Sequence, residues 1–265
     1  MSAWMFHPGR PAVVGMVHLL PLPGSSEWAG DIGLIMERAV ADAEALRLGG
    51  ADAVLIENMH DLPYLKGRVH PETVAAFAVV GAQVARVGLP MGVQVLAGAN
   101  RQALGIALAI GARFVRVEGF AYAHVADEGW IDACAGPLLR ARAAMSARGV
   151  QIWADVQKKH SAHAVTSDLS VSELARGAAF CGADAVIVTG PETGMATDPE
   201  VVRGAQSSGL PVVVGSGVTP DGVASIAAAD ALIVGSWIKH DGDWRAPVDP
   251  RRVAQLCAVS ADARG

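Results

Sequence analysis

Pro211-Val-Val-Val-Gly-Ser-Gly-Val-Thr-Pro220 and Asp230-Ala-Leu-Ile-Val-Gly-Ser-Trp-Ile-Lys239 are two short apolar runs that each stop at Gly-Ser. They are too short for helices and rich in β-branched residues, so each reads as a buried strand. Thr219-Pro220 then supplies a helix N-cap and a first helical residue. Glycine-rich turns at strand tips leave backbone N–H groups available, which suits a phosphate. In a (β/α)8 barrel the loops after strands 7 and 8 are the usual phosphate site. The fold therefore turns on whether the preceding chain supplies six more strands.

It does so by repetition. Gly49-Gly-Ala-Asp-Ala-Val-Leu-Ile-Glu57, Gly111-Ala-Arg-Phe-Val-Arg-Val-Glu118, Gly182-Ala-Asp-Ala-Val-Ile-Val-Thr189 and Ala229-Asp-Ala-Leu-Ile-Val-Gly235 share one design. A helix ends at a small residue, often a glycine that can adopt a left-handed C-cap. An Ala-Asp pair turns the chain, an apolar run follows, and a polar residue or glycine emerges at the end. With the remaining apolar runs, strands are expected near 12–18, 52–57, 91–96, 113–118, 150–155, 184–188, 211–215 and 230–234. Helical patterns lie between them at 32–48, 71–87, 101–110, 136–148, 170–181, 198–208 and 219–228, with a last one near 249–259. This alternation implies right-handed βαβ units and a parallel sheet. The expectation is one α/β domain over 1–265, a (β/α)8 TIM barrel, with an open doubly wound sheet as the second choice. The stretches 18–31, 58–70, 119–135 and 156–169 read as irregular loops. All follow strands, on the face where barrel active sites sit.

Composition narrows the function. The chain has 265 residues, 52% of them hydrophobic, which is ample for a barrel with a buried core. The net charge of −5 and the lack of a basic stripe argue against nucleic acid as a partner. No apolar run is long enough to span a membrane and the first residues lack a signal-peptide pattern, so a cytoplasmic protein is expected. Cys134, Cys181 and Cys257 lack CxxC spacing and read as small residues of helical segments. Ala-rich stretches at 103–109 and 141–147 would permit close packing in a homo-oligomer.

The expected strand ends gather titratable groups: His18, Glu57, Glu118 and Asp155, followed by Lys158 and Lys159. Charged residues at the tips of apolar strands need partners or a function, because desolvating a charge is costly. These six are the catalytic candidates, with one of the two lysines facing inward. Asn58, His60, Gln94, His160 and Thr189 are expected to contact substrate. Gly215, Ser216, Gly217, Val218, Gly235, Ser236 and Lys239 are expected to hold a phosphate. His7, His70 and His163 read as surface or loop residues, Met16 as core, and Asp31 as a helix N-cap. The proline-rich turn 20–24 reads as a rigid connector, with closure of Gly24-Ser25 over the site as the alternative. No HxH or HExxH spacing occurs; a hard divalent cation is the metal class the carboxylates would suit, and no cofactor is expected.

Val14-Gly-Met-Val-His-Leu-Leu-Pro-Leu-Pro-Gly24, Glu57-Asn58, Ala154-Asp155-Val156 with Lys159-His160, Ala183-Asp-Ala-Val-Ile-Val-Thr-Gly190, and Val214-Gly-Ser-Gly-Val-Thr219 with Val234-Gly-Ser236 resemble the BtpA family, from about residue 12 to 256. The resemblance implies a phosphate-binding (β/α)8 barrel. It also implies a family name tied to photosystem I biogenesis, although relatives occur where there is no photosystem. Some relatives resemble enzymes acting on phosphorylated sugars or nucleosides. The chain departs from the family pattern at Gln94-Val-Leu-Ala-Gly-Ala99 and at Glu118-Gly-Phe-Ala-Tyr122. These departures suggest a larger, less polar pocket lined by Phe120, Tyr122 and Trp130.

The expected function is an enzyme acting on a small phosphorylated substrate, a sugar phosphate or a nucleotide-like molecule. A lysine Schiff base would make it a lyase or aldolase. Paired carboxylates would support an isomerase, or a glycosyl transferase working through an oxocarbenium-like state. The alternatives are a non-catalytic assembly factor for a membrane complex and a phosphate-ester sensor.

Overall fold

The computed structural model of the chain describes residues 6, 9–158, 160–190 and 197–263. Its strands are β1 Ala12–His18, β2 Ala53–Glu57, β3 Met91–Gln94, β4 Phe114–Val117, β5 His124–Ala126, β6 Gly129–Ile131, β7 Gln151–Asp155, β8 Ser161–Ala162, β9 Ala185–Val188, β10 Val212–Val214 and β11 Ala231–Val234. β1, β2, β3, β4, β7, β9, β10 and β11 close in that order into a parallel barrel. This is the TIM barrel expected from the repeats, and each expected strand forms within two residues of its predicted ends.

The helices are α1 Ile32–Leu48, α2 Pro71–Ala85, α3 Asn100–Ile110, α4 Ala135–Ala144, α5 Val171–Phe180, α6 Pro199–Gln206, α7 Pro220–Val223 and α8 Pro250–Asp262. Their starts follow local chemistry. Asp31 accepts from the Leu34 N–H, Ser170 and Glu173 form a capping box, and α2, α6, α7 and α8 each begin with proline. α4 stops at Ala144, short of the expected 148, because Ser146 turns left-handed at φ 56° and the Ala147 N–H closes back on the Arg142 carbonyl. Thr219 is extended before α7, but its side chain makes no cap hydrogen bond and the α-helix runs for one turn.

The aspartates of the repeat have a defined task. Asp52 accepts the Val13 N–H at 2.7 Å, Asp184 that of Ile152 at 2.8 Å, and Asp230 that of Val212 at 2.8 Å. Each ties the foot of one strand to the start of the preceding barrel strand, satisfying an N–H at the end of the ladder.

Two apolar layers result. The outer layer, between strands and helices, includes Val54, Ile56, Val115, Val186 and Val214. The inner layer holds Val14, Met16, Leu55, Phe114, Trp153, Ile187, Val213 and Ile233. Phe114 stacks on Trp153 with ring centroids 3.8 Å apart and planes 14° apart. Gly92 permits this, since a Cβ there would stand 2.3 Å from the Phe114 ring.

The loops after β4 and β7 were expected to be irregular, but they contain short strands. β5 and β6 form an antiparallel hairpin, and β8 pairs with β5, giving a small sheet in the order β6-β5-β8. Strands of two or three residues are too short to show a period.

Candidate active site

Side chains alternate along each barrel strand, so the inner apolar layer is followed upward by the next inward positions. These are His18 on β1, Glu57 on β2, Gln94 on β3, Arg116 and then Glu118 at the end of β4, and Asp155 on β7. All six are buried, at 2–7% exposure. Gly215 and Gly235 occupy the corresponding positions beyond β10 and β11.

Arg116 grips Asp155 with two parallel bonds, Nε to Oδ2 and Nη2 to Oδ1, both 3.0 Å. A fork of this kind is the strong form of a charged hydrogen bond. The Asp155 carboxylate is thereby committed, and Arg116 is a site residue that strand-end reading passed over. Its place in an otherwise apolar strand, Phe114-Val-Arg-Val117, was the available signal.

Glu118 lies 3.6 Å from the Lys158 ammonium and takes a 3.4 Å bond from Gln94 Nε2. Burial pushes its carboxyl up to about 7, against the opposing pull of Lys158 and Arg116. Lys158 is also held by Glu128 at 3.2 Å. Burial disfavours its charge, but Glu118 and Glu128 outweigh that and raise its pKa, so it is an ammonium at neutral pH. Glu128 sits in the turn between β5 and β6, so the small sheet delivers a carboxylate to the mouth. Sequence reading missed it because the hairpin itself was missed.

His18 Nδ1 lies 2.9 Å from the Trp244 carbonyl oxygen. A carbonyl only accepts, so Nδ1 carries the hydrogen, and in the neutral ring Nε2 is the basic nitrogen. That nitrogen lies 3.9 Å from Glu57 Oε2. His60 packs on Trp244 with centroids 4.8 Å apart, and burial, then Arg38 and Arg245, lower its pKa to about 4.

The substrate-contact candidates divide. Gln94 Oε1 is buried with no hydrogen-bond partner among the described residues. Asn58 is fully buried and committed: its Nδ2 donates to Asp61 at 2.9 Å and its Oδ1 accepts from Leu96 N–H at 2.7 Å. It braces the loops after β2 and β3. The Thr189 hydroxyl donates to the Gln157 carbonyl. His160 is exposed, with φ 55°. Lys159 lies outside the described residues, as does His7.

At the first glycine turn, Gly215 N–H is used in the barrel, donating to the Val188 carbonyl at 2.7 Å. The N–H groups of Ser216, Gly217 and Val218 take no backbone acceptor among the described residues. Ser216 Oγ is likewise buried without a partner among them, and Gly217 is left-handed at φ 70°. Gly235 faces His18: a Cβ there would stand 3.4 Å from the imidazole. Lys239 does not join these turns. It is fully buried and bonded to Asp42 of α1 at 3.3 Å, and Asp42 also accepts the Val248 N–H at 2.7 Å. Its tetramethylene stem carries the ammonium under the loop, where it ties residues 239–248 to α1, out of reach of an anion at the mouth.

The pocket expected from Phe120, Tyr122 and Trp130 does not form. Phe120 is fully buried in the outer core, whereas Tyr122 and Trp130 are 39% and 45% exposed. His163 is more than a surface residue, since its Nε2 contacts the Lys158 carbonyl at 2.8 Å.

A (β/α)8 barrel with a ring of buried ionisable groups at the C-terminal end of its strands is the class of protein this geometry defines. The chain belongs to the BtpA family, whose model matches residues 10–262. It is 40% identical to a mitochondrial protein of Caenorhabditis elegans, over 95% of this chain and 94% of that one. It is 36% identical to the photosystem I biogenesis protein BtpA of Synechocystis sp., over 94% of this chain and 88% of that one. Among solved structures it is similar to thiamine phosphate pyrophosphorylase from Pyrococcus furiosus, with TM-score 0.57 and 16% identity over 97% of this chain and 98% of that one. It is also similar to orotidine 5'-monophosphate decarboxylase from Methanocaldococcus jannaschii, with TM-score 0.59 and 11% identity over 95% and 99%. At these identities the likeness speaks to the fold alone. Among the described residues no helix is long and apolar enough to cross a membrane.

Proposed function

We propose that the chain is an enzyme acting on a small phosphorylated substrate at the C-terminal face of the barrel. The observation that carries this reading is the polar layer above the apolar barrel core: His18, Glu57, Gln94, Arg116, Glu118 and Asp155, all buried. Barrel stability does not call for it, since buried ion pairs contribute little or nothing over apolar packing. The N–H groups of Ser216 to Val218, with Ser216 Oγ, would hold the phosphate.

Glu118, ionising near 7, suits a general acid–base role. Glu57 with His18 forms a second proton-transfer pair. Glu57, Glu118, Glu128 and Asp155 outnumber Arg116 and Lys158, an arrangement that favours a reacting carbon gaining positive charge. This supports glycosyl transfer or isomerisation over a Schiff-base lyase at Lys158, whose amine would have to be neutral to attack.

The name of the Synechocystis relative favours a second reading, an assembly factor, which leaves the buried layer without a purpose. Thermal-shift measurements with inorganic phosphate, ribose 5-phosphate and nucleoside 5'-monophosphates separate the two. Stabilisation followed by turnover of the stabilising ester supports the enzyme. No shift with any phosphate compound at millimolar concentration would sink it.

A further inference from the structure

Beside the mouth lies a cavity of about 350 Å³ that the polar layer does not use. It is walled by the loops after β1, β2 and β3 and by the start of α2. Gly24, Ser25 and Ser26 close one side. Asn58, immediately after Glu57, and Leu96, two residues after Gln94, connect it to the mouth. Its size falls in the range of small-molecule sites.

The chemistry of the lining is selective. Pro63, Tyr64, Leu65, Val69 and Leu96 present apolar surface. The hydroxyl protons are already committed: Ser25 donates to the Leu22 carbonyl, Ser26 to Leu62, Tyr64 to Met59 and Thr73 to Pro23. Those oxygens therefore offer lone pairs only. Asp61 is held by the Leu22 N–H and by Asn58. Among the described residues no lysine or arginine lines the cavity. With His70 the one basic side chain and Asp61 the one carboxylate among the described lining residues, such a site favours an uncharged group with apolar faces and polar edges over a phosphate.

We propose that this cavity receives the ring-bearing, uncharged end of the substrate, so that the substrate is nucleotide-like rather than a bare sugar phosphate. This rests on the phosphate reading above. β11 and β1 lie between β10 and β2 in the barrel, so one molecule can run from the Ser216–Val218 turn past Gly235, His18 and Glu57 into the cavity. Gly24 belongs to this wall for a steric reason: at φ 93°, a Cβ there would stand 2.7 Å from Thr73 Oγ1. The wall is built close, and the exposed rim residue Leu65 covers it from outside.

The test compares affinities of the whole chain for ribose 5-phosphate and adenosine 5'-monophosphate, by calorimetry, in the natural protein and in the Leu65→Trp and Ser26→Trp variants. Both positions are exposed, so each variant retains the fold. The expected result is a monophosphate bound about ten-fold more tightly than the sugar phosphate, with that ratio falling toward one in both variants. Equal affinities in the natural protein overturn the inference and leave the phosphate reading standing. A ratio that persists in both variants overturns it as well, because the ring then sits elsewhere. Binding of neither compound removes the phosphate reading and this inference with it.

Discussion

Arg116 and Asp155 face each other from adjacent barrel strands, joined by two 3.0 Å bonds and buried to 7% and 5% exposure. The pair spans the floor of the mouth. It uses Asp155 to hold a guanidinium, one nitrogen of which lies 3.4 Å from where a Gly215 side chain would begin. Asp155 thus positions Arg116, and in the proposed enzyme the proton transfer is assigned to Glu118, Glu57 and His18.

Breaking this pair from one side should be costly. Asp155→Ala leaves a buried guanidinium uncompensated and is expected to lower stability by about 3–5 kcal/mol in urea unfolding. The double variant Arg116→Met, Asp155→Leu should recover most of that loss. A single variant as stable as the natural protein would show that the ion pair is solvated.

Glu118 should make stability depend on pH. Its folded pKa is raised to about 7, from an ordinary 4.5, so the folded chain binds the proton more tightly than the unfolded one. The contribution is fully present below about 4.5 and is lost as pH rises through about 7, roughly 2–4 kcal/mol in all. Unfolding free energies of the natural protein and Glu118→Gln, measured from pH 4 to 8, should diverge in that sense. Parallel curves would place the Glu118 ionisation outside this window.

Lys158 holds the Glu118 charge in place, so Lys158→Met should move the Glu118 ionisation upward, as followed by carboxyl-resolved NMR. Borohydride with carbonyl-bearing sugar phosphates should leave Lys158 unmodified at neutral pH, because its ammonium is stabilised by two carboxylates. A reduced adduct mapped to Lys158 by mass spectrometry would restore the Schiff-base mechanism.

The two partners of the Lys239–Asp42 pair should differ in cost. Asp42→Ala strands a fully buried ammonium and frees the Val248 N–H, and about 3–5 kcal/mol should be lost. Lys239→Met should cost less, because Asp42 keeps Arg38 at 3.3 Å and the Val248 N–H. Its affinity for inorganic phosphate should equal that of the natural protein. A ten-fold weaker affinity in a folded Lys239→Met would return Lys239 to the phosphate site.

The alternation of strand and helix was readable along the chain because its causes are local: β-branched runs, glycine C-caps, proline at first helical turns, and an aspartate at the foot of strands. Once eight parallel strands were counted, the face that carries Glu57, Asp155 and His18 followed from the barrel's own geometry. What each charge is bonded to could not be read the same way. Arg116 and Asp155 are 39 residues apart, Lys158 and Glu128 are 30 apart, and Lys239 and Asp42 are 197 apart. Their pairing depends on barrel order, register and the direction of a long side chain, none of which leaves a periodic trace. Lys239 shows this most plainly. It stands four residues beyond the Gly235 turn, yet its flexible stem carries the ammonium beneath the loop to the buried carboxylate of Asp42. Local chemistry therefore settled the barrel and the face that bears the site, and only the packed structure decided which charges on that face are already paired.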